Sequence, residues 1–335
     1  MRVAFDSRPT TDLRGLGRYS RCLLQALRDT SGEQDEILET HRPRGADVFH
    51  TPWMQGAMLH SPTPMVVTLH DLAALKRPSE RLRSGGLRPR LRHLAVQRAV
   101  HVIVPTEAVA RDAVAQFGLE RERLTVIPEA PDPVMYRRPE HEVAAVRERY
   151  ALPERYLVWV GCLQHPDPRK HVAKLAATPR ELPLVLVGPT RPWAHELPDV
   201  TLTGHVPDEH LAAIYTGAHA LVLPSEDEGF GLPAVEALAC GTPVAACEVP
   251  ALREVLAERA SFVPGGDLPS LIDAAQSATR PAPPPPAWTW EDAGRETWHV
   301  YRRALAQGEC ACVTSSRRRQ SLSRGRSGVS KPRGA

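Results

Sequence analysis

Residues 221–246 read LVLPSEDEGFGLPAVEALACGTPVAA, and the order of residue types along this stretch decides the fold. An apolar strand ends at Pro224, and the acidic loop after it contains Gly229 and Gly231, which permit tight backbone turns. Pro233 suits the first turn of a helix, and Gly241 suits the position just after its end. A second apolar strand follows. We therefore predict a strand–loop–helix–strand unit, the repeat from which parallel α/β sheets are built.

The same alternation of short apolar runs and helical patterns extends outward from this unit in both directions. It predicts an α/β fold with parallel sheets, because parallel strands are joined by helical crossovers. The predicted strands are Val3–Phe5, Val48–His50, Met65–Leu69, His101–Val104 and Leu124–Ile127 in the first half, and Tyr156–Val160, Leu184–Val187, Val200–Leu202, Leu221–Leu223, Val244–Ala246 and Ser261–Val263 in the second.

Two proline-rich breaks divide the chain. Residues 128–138 lack periodicity, and a polyproline-like run at 281–286 forms a second spacer, after which Trp290–Leu305 has a helical pattern. The tail beyond that helix is rich in Arg, Ser and Gly, so we expect it to be disordered and solvated rather than a nucleic-acid-binding element. The predicted organisation is a first domain at 1–138, a linker at 139–152, a second domain at 153–287, a helix returning to the first domain at 288–306 and a disordered basic tail at 307–335.

Composition argues against several classes of protein. The formal net charge of the 335 residues is only +3, which indicates no nucleic-acid partner. The six cysteines form no CxxC pair and have no zinc-ligand spacing, so we expect reduced thiols and no metal site. No apolar run is long enough to span a membrane, and the opening residues MRVAF lack a signal-peptide pattern. These features predict a cytoplasmic protein.

The loop and helix of the quoted stretch carry the chemistry. In open α/β sheets, ligands bind at the carboxyl ends of the strands, which is where this loop lies. Backbone N–H groups near Gly231 and Leu232, together with the helix dipole, favour a phosphate group. Glu228 precedes the helix and Glu236 lies about one turn inside it, so one carboxylate can face a sugar and the other a ribose. Carboxylates suit both tasks because they accept hydrogen bonds from hydroxyl groups.

This stretch resembles the E-x7-E motif of glycosyltransferase family 4, whose members are retaining enzymes of the GT-B fold. The match includes both glutamates, the glycines, the proline and the following ACGTPV. The resemblance implies two Rossmann-like domains that face each other across a cleft, with a C-terminal helix crossing back to the first domain. It also implies a catalytic role for Glu228 and donor contacts from Glu228, Gly229, Phe230, Gly231, Leu232 and Glu236.

A second element, GCLQHPDPRKH at Gly161–His171, resembles the family's strand–glycine–PRK element. The resemblance implies that Lys170, one of four lysines in the chain, contacts the donor diphosphate and acts in catalysis, with Arg169 beside it. Two cations there would stabilise the negative charge that develops on the leaving group. The loop is longer than is usual in the family, and Cys162 stands where the family often has an arginine.

Two elements of the first domain extend the resemblance. The segment RGLGRY, residues 14–19, resembles the glycine loop that closes over the diphosphate, which would place Gly15 and Gly17 against the donor. His70 and Asp71 end an apolar strand and resemble a pair that faces the donor sugar, so His70 is a candidate catalytic residue. His50, at the end of another strand, is a weaker candidate of the same kind.

Two elements of the second half of the chain also resemble elements of this family. Residues 204–215, GHVPDEHLAAIY, resemble the element that borders the nucleotide base, where backbone groups near Val206 would contact the base. The helix that begins at Trp290 resembles the closing helix of the family. With these elements, the resemblance runs in order over residues 1–306.

The first domain, which would bind the acceptor, departs from the family in one respect. Only a short segment separates its first helix from the strand at Val48, so we expect part of its sheet to be missing or reduced. The run Lys76–Arg98 contains eight cations and a single acid, with leucines at helical spacing. We predict that this run makes peripheral contact with an anionic membrane at its inner face, and that the acceptor is a glycan or a lipid-linked molecule.

Together these elements predict a retaining glycosyltransferase that moves a hexose from a nucleotide-diphosphate donor and needs no metal or other cofactor. GDP-mannose is the favoured donor, which would make the protein a mannosyltransferase, and UDP-sugars are the nearest alternative. Two other interpretations stay open. One is a nucleotide-sugar epimerase of the GT-B fold, which would need an additional acid/base set. The other is a catalytically silent GT-B partner subunit, which would bind nucleotide without turning over a donor.

Overall fold

A computed structural model describes residues 1–72 and 87–324 of the chain, and in this part it contains two parallel sheets of six strands each. Every strand pair in both sheets is parallel, as expected for strands joined by helical crossovers. The first sheet contains β1 (Arg2–Phe5), β2 (Glu36–Glu39), β3 (Val48–Thr51), β4 (Met65–Thr68), β5 (His101–Val104) and β6 (Leu124–Val126). The second contains β7 (Leu157–Val160), β8 (Leu184–Val187), β9 (Val200–Gly204), β10 (Ala220–Leu223), β11 (Val244–Cys247) and β12 (Ser261–Val263).

Helices cover both faces of each sheet, which is why the central strands are apolar along their whole length. The strands β3, β4, β5, β8, β10 and β11 are buried at every position. The described α-helices are Gly15–Asp29, Leu87–Gln97, Glu107–Phe117, Glu140–Arg149, Val172–Ala177, Asp208–Gly217, Leu232–Ala239, Pro250–Leu256, Leu268–Gln276 and Trp290–Arg324.

The first sheet has the strand order β2-β1-β3-β4-β5-β6. The expectation of a missing or reduced part of this sheet is wrong, because the short segment before Val48 forms β2. This strand pairs with β1 from Arg2↔Glu36 to Phe5↔Glu39. It was not predicted because it is an edge strand with the sequence EILE, exposed at both ends and only half-buried between them.

The second sheet has the order β12-β11-β10-β7-β8-β9, so the quoted stretch supplies its β10 and β11. The segment predicted as a linker, residues 139–152, forms the helix Glu140–Arg149. Val146 and Leu152 of this segment are buried in the same apolar cluster as Tyr215 of the second domain. This helix therefore packs as part of the second domain.

The terminal helix Trp290–Arg324 crosses back to the first domain, as the sequence predicted. Its Trp298 and Tyr301 are buried in one cluster with Leu27, and the Trp298 indole N–H donates to the Leu27 carbonyl oxygen at 3.0 Å. The helix is longer than the predicted 288–306, because residues after Leu305 continue the helix to Arg324 rather than beginning the tail that was expected to be disordered. That continuation contains no proline before Arg324, so no residue in it blocks the helical hydrogen-bond pattern. Residues 325–335 lie outside the described part.

A buried polar network joins the terminal helix to the first sheet. His50 lies 2.6 Å from the Tyr301 hydroxyl through Nδ1 and 2.9 Å from Thr68 Oγ1 through Nε2. Thr68 in turn lies 3.2 Å from the Tyr19 hydroxyl. Burial lowers the pKa of His50 to about 3, so this imidazole stays neutral. His50, a weaker candidate for the donor site, thus positions the terminal helix.

Candidate active site

The two domains meet at the carboxyl ends of their strands. The loop after β4 carries His70, and the loop after β10 carries Gly229; a Cβ atom added to Gly229 would lie 1.7 Å from the His70 carbonyl oxygen. The Thr106 hydroxyl of the first domain donates to the Gly229 carbonyl oxygen at 3.0 Å. The absence of a side chain at Gly229 therefore allows the two loops to touch.

A second contact between the domains is a helix cap supplied across the cleft. The carboxylate of Glu254 accepts hydrogen bonds from the backbone N–H groups of Glu107 at 2.6 Å and Ala108 at 3.0 Å. These N–H groups begin the helix Glu107–Phe117, whose N-terminus carries partial positive charge. An acid of the second domain thus stabilises a helix end of the first.

Glu236, the predicted ribose ligand, lies in a buried ion-pair cluster. Its side chain is 1% exposed, and its carboxylate pairs with Arg18 of the first domain and accepts a hydrogen bond from the Tyr215 hydroxyl at 3.2 Å. The guanidinium of Arg18, 14% exposed, also pairs with Asp208. Burial raises the pKa of Glu236, and the Arg18 cation opposes that rise. We call the contact of Arg18 with Glu236 and Asp208 the interdomain clasp.

The helix Leu232–Ala239 begins without a side-chain cap. Gly231, at its N-cap, has a φ of 89°, and a Cβ atom there would lie 2.4 Å from Leu252 Cδ2, so only glycine fits without displacement. Pro233 lies in the first turn, as predicted. A Cβ atom on Gly15 would lie 3.8 Å from Leu232 Cδ1, so the glycine loop of the first domain faces this helix end. The arrangement leaves backbone N–H groups available to an anion.

Gly17 has a different role from Gly15. A Cβ atom on Gly17 would lie 1.8 Å from the carbonyl oxygen of Asp12. The close approach is therefore within the first domain's own loop, which Gly17 allows to turn tightly into the helix Gly15–Asp29.

Lys170 and Glu228, the two candidate catalytic residues of the second domain, lie next to each other. Lys170 Nζ is 3.7 Å from Glu228 Oε1, and both side chains are partly exposed. The Ser225 hydroxyl donates to the same carboxylate oxygen at 2.7 Å, which fixes its orientation. A cation and a carboxylate thus lie side by side between the PRK segment and the acidic loop.

Arg169 is directed by two acids. It pairs with Asp167 of its own loop at 2.7 Å, and its Nη1 lies 3.9 Å from Asp71 of the first domain. Burial alone would lower the pKa of Arg169, but its bonds to Asp167 and the charge of Asp71 raise it, so the guanidinium stays charged. Arg169 therefore lies at the domain contact, beside Lys170.

His70 lies at the cleft with both ring nitrogens engaged. Nε2 is 2.9 Å from the Pro52 carbonyl oxygen and Nδ1 is 3.1 Å from Glu129 Oε1. The Tyr19 ring packs edge-on against it, with centroids 4.3 Å apart. Burial would lower the pKa of His70, but the hydrogen bond and charge of Glu129 outweigh burial and raise it. Since both neighbours are acceptors, the protonated imidazole satisfies the geometry best.

Comparisons with known proteins agree with this architecture. A family model for family 4 glycosyltransferases matches residues 9–133, and a model for glycosyl transferases group 1 matches residues 154–280. Together they cover about three quarters of the chain, one model in each domain. The chain belongs to this glycosyltransferase family.

Relatives of this chain include two D-inositol 3-phosphate glycosyltransferases. That of Xylanimonas cellulosilytica is 33% identical over 251 residues, which cover 65% of this chain and 60% of the relative. That of Mycobacterium tuberculosis is 27% identical over 307 residues, which cover 80% of this chain and 64% of the relative. The chain thus spans less than two thirds of the length of these relatives.

Solved structures share the GT-B fold at low sequence identity. Sucrose-phosphate synthase from Thermosynechococcus elongatus superposes with a TM-score of 0.64 at 20% identity, over 97% of this chain and 100% of that one. Anabaena HepE in complex with UDP-glucose gives a TM-score of 0.63 at 16% identity, over 94% and 99%. These likenesses support the two-domain fold.

Three of the predicted donor-site residues have buried apolar side chains. Val206 is 4% exposed, and Phe230 is 4% exposed with its ring centroid 5.8 Å from that of Trp288. Leu232 is also buried, at 7%. At these three positions the backbone is what a ligand could reach, as the sequence interpretation assumed for Val206.

Sequence reasoning missed Arg18 and Glu129. Arg18 stands in the quoted RGLGRY segment, but its partner Glu236 lies 218 positions away, so no local pattern connects them. Glu129 follows β6 in the proline-rich segment 128–138 and is 4% exposed. The available signal was an acid close after a predicted strand, since such strand ends form the ligand-binding edge of the sheet.

Three remaining predictions concern metal and membrane. Within residues 1–72 and 87–324, no group of three or more His, Cys, Asp or Glu is arranged to hold a metal ion. None of the described helices is long and apolar enough to cross a membrane. Residues 76–86 of the basic run Lys76–Arg98 lie outside the described residues; its described part includes the helix Leu87–Gln97, which exposes Leu87 and Leu94.

Proposed function

We propose that this protein transfers a sugar from a nucleotide-diphosphate donor to an acceptor hydroxyl, with retention at the anomeric carbon. The observation that supports it is the pairing of Lys170 with Glu228 at 3.7 Å, with Glu228 just before the uncapped start of the helix Leu232–Ala239 and Glu236 about one turn inside that helix. Two carboxylates for hydroxyl groups, one cation and free backbone N–H groups for a diphosphate form a donor site of the right chemistry.

In the proposed reaction, the diphosphate lies at the helix N-terminus, where the Leu232 N–H and Lys170 stabilise it. Glu228, oriented by Ser225, accepts hydrogen bonds from the donor sugar. The bond from the anomeric carbon to the phosphate oxygen breaks while the acceptor oxygen bonds to the same face of that carbon. The acceptor proton passes to the departing phosphate oxygen. The cations act on the charge that develops on this leaving group.

His70 has a modified role in this proposal. Its nitrogens are engaged by Pro52 and Glu129, so the ring does not serve as a general base. It contributes positive charge near the leaving group and, through its backbone contact with Gly229, sets the spacing of the two loops. The silent-subunit alternative keeps the same contacts but turns over no donor, and the epimerase alternative needs no acceptor.

The donor and the ribose role are tested together. Thermal stabilisation is measured with GDP-mannose, UDP-glucose and other nucleotide sugars, and nucleotide affinity is then compared in Glu236→Gln and the control Glu248→Gln, an exposed acid paired with Arg253. Loss of a hydrogen bond to a charged group should weaken binding by about 1.5–3 kcal/mol in the first variant alone. Equal affinities would remove the ribose role, and nucleotide binding without donor turnover would support the silent subunit.

We also propose peripheral membrane contact through the basic run Lys76–Arg98, on the ground of its eight cations. Each cation near an anionic surface contributes about 1 kcal/mol. Co-sedimentation with neutral and anionic vesicles is the measurement, with the triple variant of Arg88, Arg90 and Arg92 to Gln as the comparison. Equal recovery with both kinds of vesicle would exclude the contact.

A further inference from the structure

A polar cluster that the donor chemistry does not use lies at the carboxyl ends of β1 and β3. Asp6 follows β1 and is fully buried. Its carboxylate accepts two hydrogen bonds from Arg8, each at 2.7 Å, and one from the Trp53 indole N–H at 2.9 Å. Asp6 therefore holds an arginine and a tryptophan in fixed positions at the edge of the first sheet.

The charge of Asp6 is secure. Burial alone would raise the pKa of Asp6, but the hydrogen bonds from Arg8 and Trp53 together with the Arg8 charge outweigh burial and lower it. The carboxylate thus remains an anchor for Arg8 over the range in which proteins are normally assayed. The Arg8 guanidinium carbon lies 5.6 Å from the centre of the Trp53 ring.

Part of this cluster remains available for a ligand. Asp6 engages Nε and Nη2 of Arg8, while Nη1 has no hydrogen-bond partner among the described residues. The Arg8 side chain is 49% exposed, and Trp53 is partly exposed. The outcome is a row of free N–H donors beside an aromatic ring, both held by the same buried acid.

The cluster faces the proposed reaction centre. Trp53 follows Pro52, whose carbonyl oxygen contacts His70, and the His70 backbone touches Gly229 of the second domain. The strands β1, β3 and β4 are neighbours in the sheet, so Arg8, Trp53 and His70 follow adjacent strand ends. The cluster thus lies on the first-domain side of the cleft, opposite the donor residues.

We propose that Arg8 and Trp53 form an acceptor subsite for a sugar or polyol ring that carries a phosphate group. The ring packs against Trp53, and the phosphate binds the free edge of the Arg8 guanidinium, whose planar fork suits phosphate oxygens. The phosphate can belong to a soluble sugar phosphate or to a lipid headgroup. This subsite rests on the proposed transfer reaction and adds the class of its acceptor.

The experiment measures release of nucleoside diphosphate from the donor that best stabilises the protein. Matched acceptors are glucose and glucose 6-phosphate, inositol and inositol 3-phosphate, and vesicles with or without phosphatidylinositol. We expect a phosphorylated acceptor to be used at least tenfold better than its unphosphorylated partner. Arg8→Gln should remove that preference by raising the acceptor KM, while the donor KM stays unchanged. Soluble and vesicle arms distinguish the source of the phosphate.

Two comparison variants make the result specific. Arg2→Gln removes an exposed arginine, paired with Glu36, at the other end of β1, and should behave as the wild type. Arg8→Lys keeps a cation but not the fork, so it should retain part of the preference. Calorimetry measures the affinity for the same acceptor pairs in the presence of nucleotide, so that acceptors that bind without reacting are also compared.

The outcomes separate the subsite from the reaction. Equal use and equal binding of phosphorylated and unphosphorylated partners by the wild type would overturn the subsite, as would an Arg8→Gln variant indistinguishable from Arg2→Gln. Donor turnover that persists in either case leaves the transfer reaction intact. Nucleotide binding with no turnover, but with phosphate selectivity lost in Arg8→Gln, contradicts the transfer reaction and supports the subsite.

Discussion

Replacing Arg18 with glutamine tests the interdomain clasp. The change removes the cation from a carboxylate, Glu236, whose side chain is only 1% exposed. Removing one partner of a buried ion pair costs about 3–5 kcal/mol. Asp208 is 31% exposed and can be solvated by water, so we expect the lower end, about 3 kcal/mol. At about 2–4 °C per kcal/mol for domains of this size, the melting temperature should fall by at least about 6 °C.

The control is Arg21→Gln on the same helix. Arg21 lies 3.8 Å from Asp208 but is 45% exposed, and such surface pairs contribute at most about 1 kcal/mol. Calorimetric melting of both variants, without nucleotide, gives the comparison. If the two melting temperatures fell by the same small amount, the clasp would not stabilise the domain contact.

The pH dependence of the Arg18→Gln effect has a definite sign. The folded-state pKa of Glu236 is raised above its ordinary value of 4.5. The titration of Glu236 therefore stabilises the folded state below pH 4.5, and this stabilisation is lost as the pH rises through the folded-state pKa. Without the Arg18 cation, that pKa rises further. The difference in melting temperature between wild type and variant should therefore be small near pH 4.5 and grow as the pH rises. A difference independent of pH would refute the electrostatic reasoning.

Three further predictions follow from the cleft. Gly229→Ala should reduce turnover at least tenfold, because the added Cβ atom would collide with the His70 backbone. The control Gly265→Ala should keep the wild-type turnover, because a Cβ atom there meets nothing within 4 Å. Equal turnover in the two variants would contradict the close contact between Gly229 and His70. Glu129→Gln should lower the pKa of His70, which NMR titration measures. The raised pKa of His70 stabilises the folded state fully below pH 6.5 and no longer does so above the folded-state pKa, so this contribution should shrink in the variant. An unchanged His70 titration would exclude Glu129 as the cause of the raised pKa. Turnover should persist in EDTA, because cations and helix N–H groups stabilise the leaving group; loss reversed by Mg²⁺ would overturn that mechanism.

Local sequence patterns predicted most of the fold because the central strands are buried on both faces. A strand such as β8 or β10 is a continuous apolar run, which needs no knowledge of its neighbours. The edge strand β2 is half-exposed and charged at both ends, so its pattern does not differ from that of a loop. The prediction therefore missed β2, where incomplete burial is combined with an acid at each end of the strand.

The candidate site divides in the same way. Short sequence segments of distinctive composition predicted three parts of the site: the helix start at Gly231, the pair Lys170 and Glu228, and the loop of His70. No short sequence segment predicts the contacts between the domains. Glu254 looks like an ordinary surface acid in the sequence, and only the folded chain shows it capping a helix of the other domain.

The clasp and the proposed ribose contact share one carboxylate, and this has a thermodynamic consequence. Because the Glu236 side chain is only 1% exposed and Arg18 covers it, we infer that a ribose reaches this carboxylate by taking the place of Arg18. The exchange is feasible because the clasp is imperfect: the buried Arg18 Nε has no hydrogen-bond partner within the described chain. The observed affinity for a ribose is then reduced by the fraction of molecules in which Arg18 occupies Glu236.

That exchange separates the two possible roles of Arg18 by the sign of one measurement. Guanosine and uridine carry the ribose but no phosphate with which Arg18 could pair after leaving Glu236. Arg18→Gln should therefore bind these nucleosides more tightly than the wild type does, although the variant is less stable. Weaker nucleoside binding, measured by calorimetry, would mean that Arg18 supports the ribose site rather than competing with it. The control Arg21→Gln, which leaves Glu236 paired, should bind them as the wild type does.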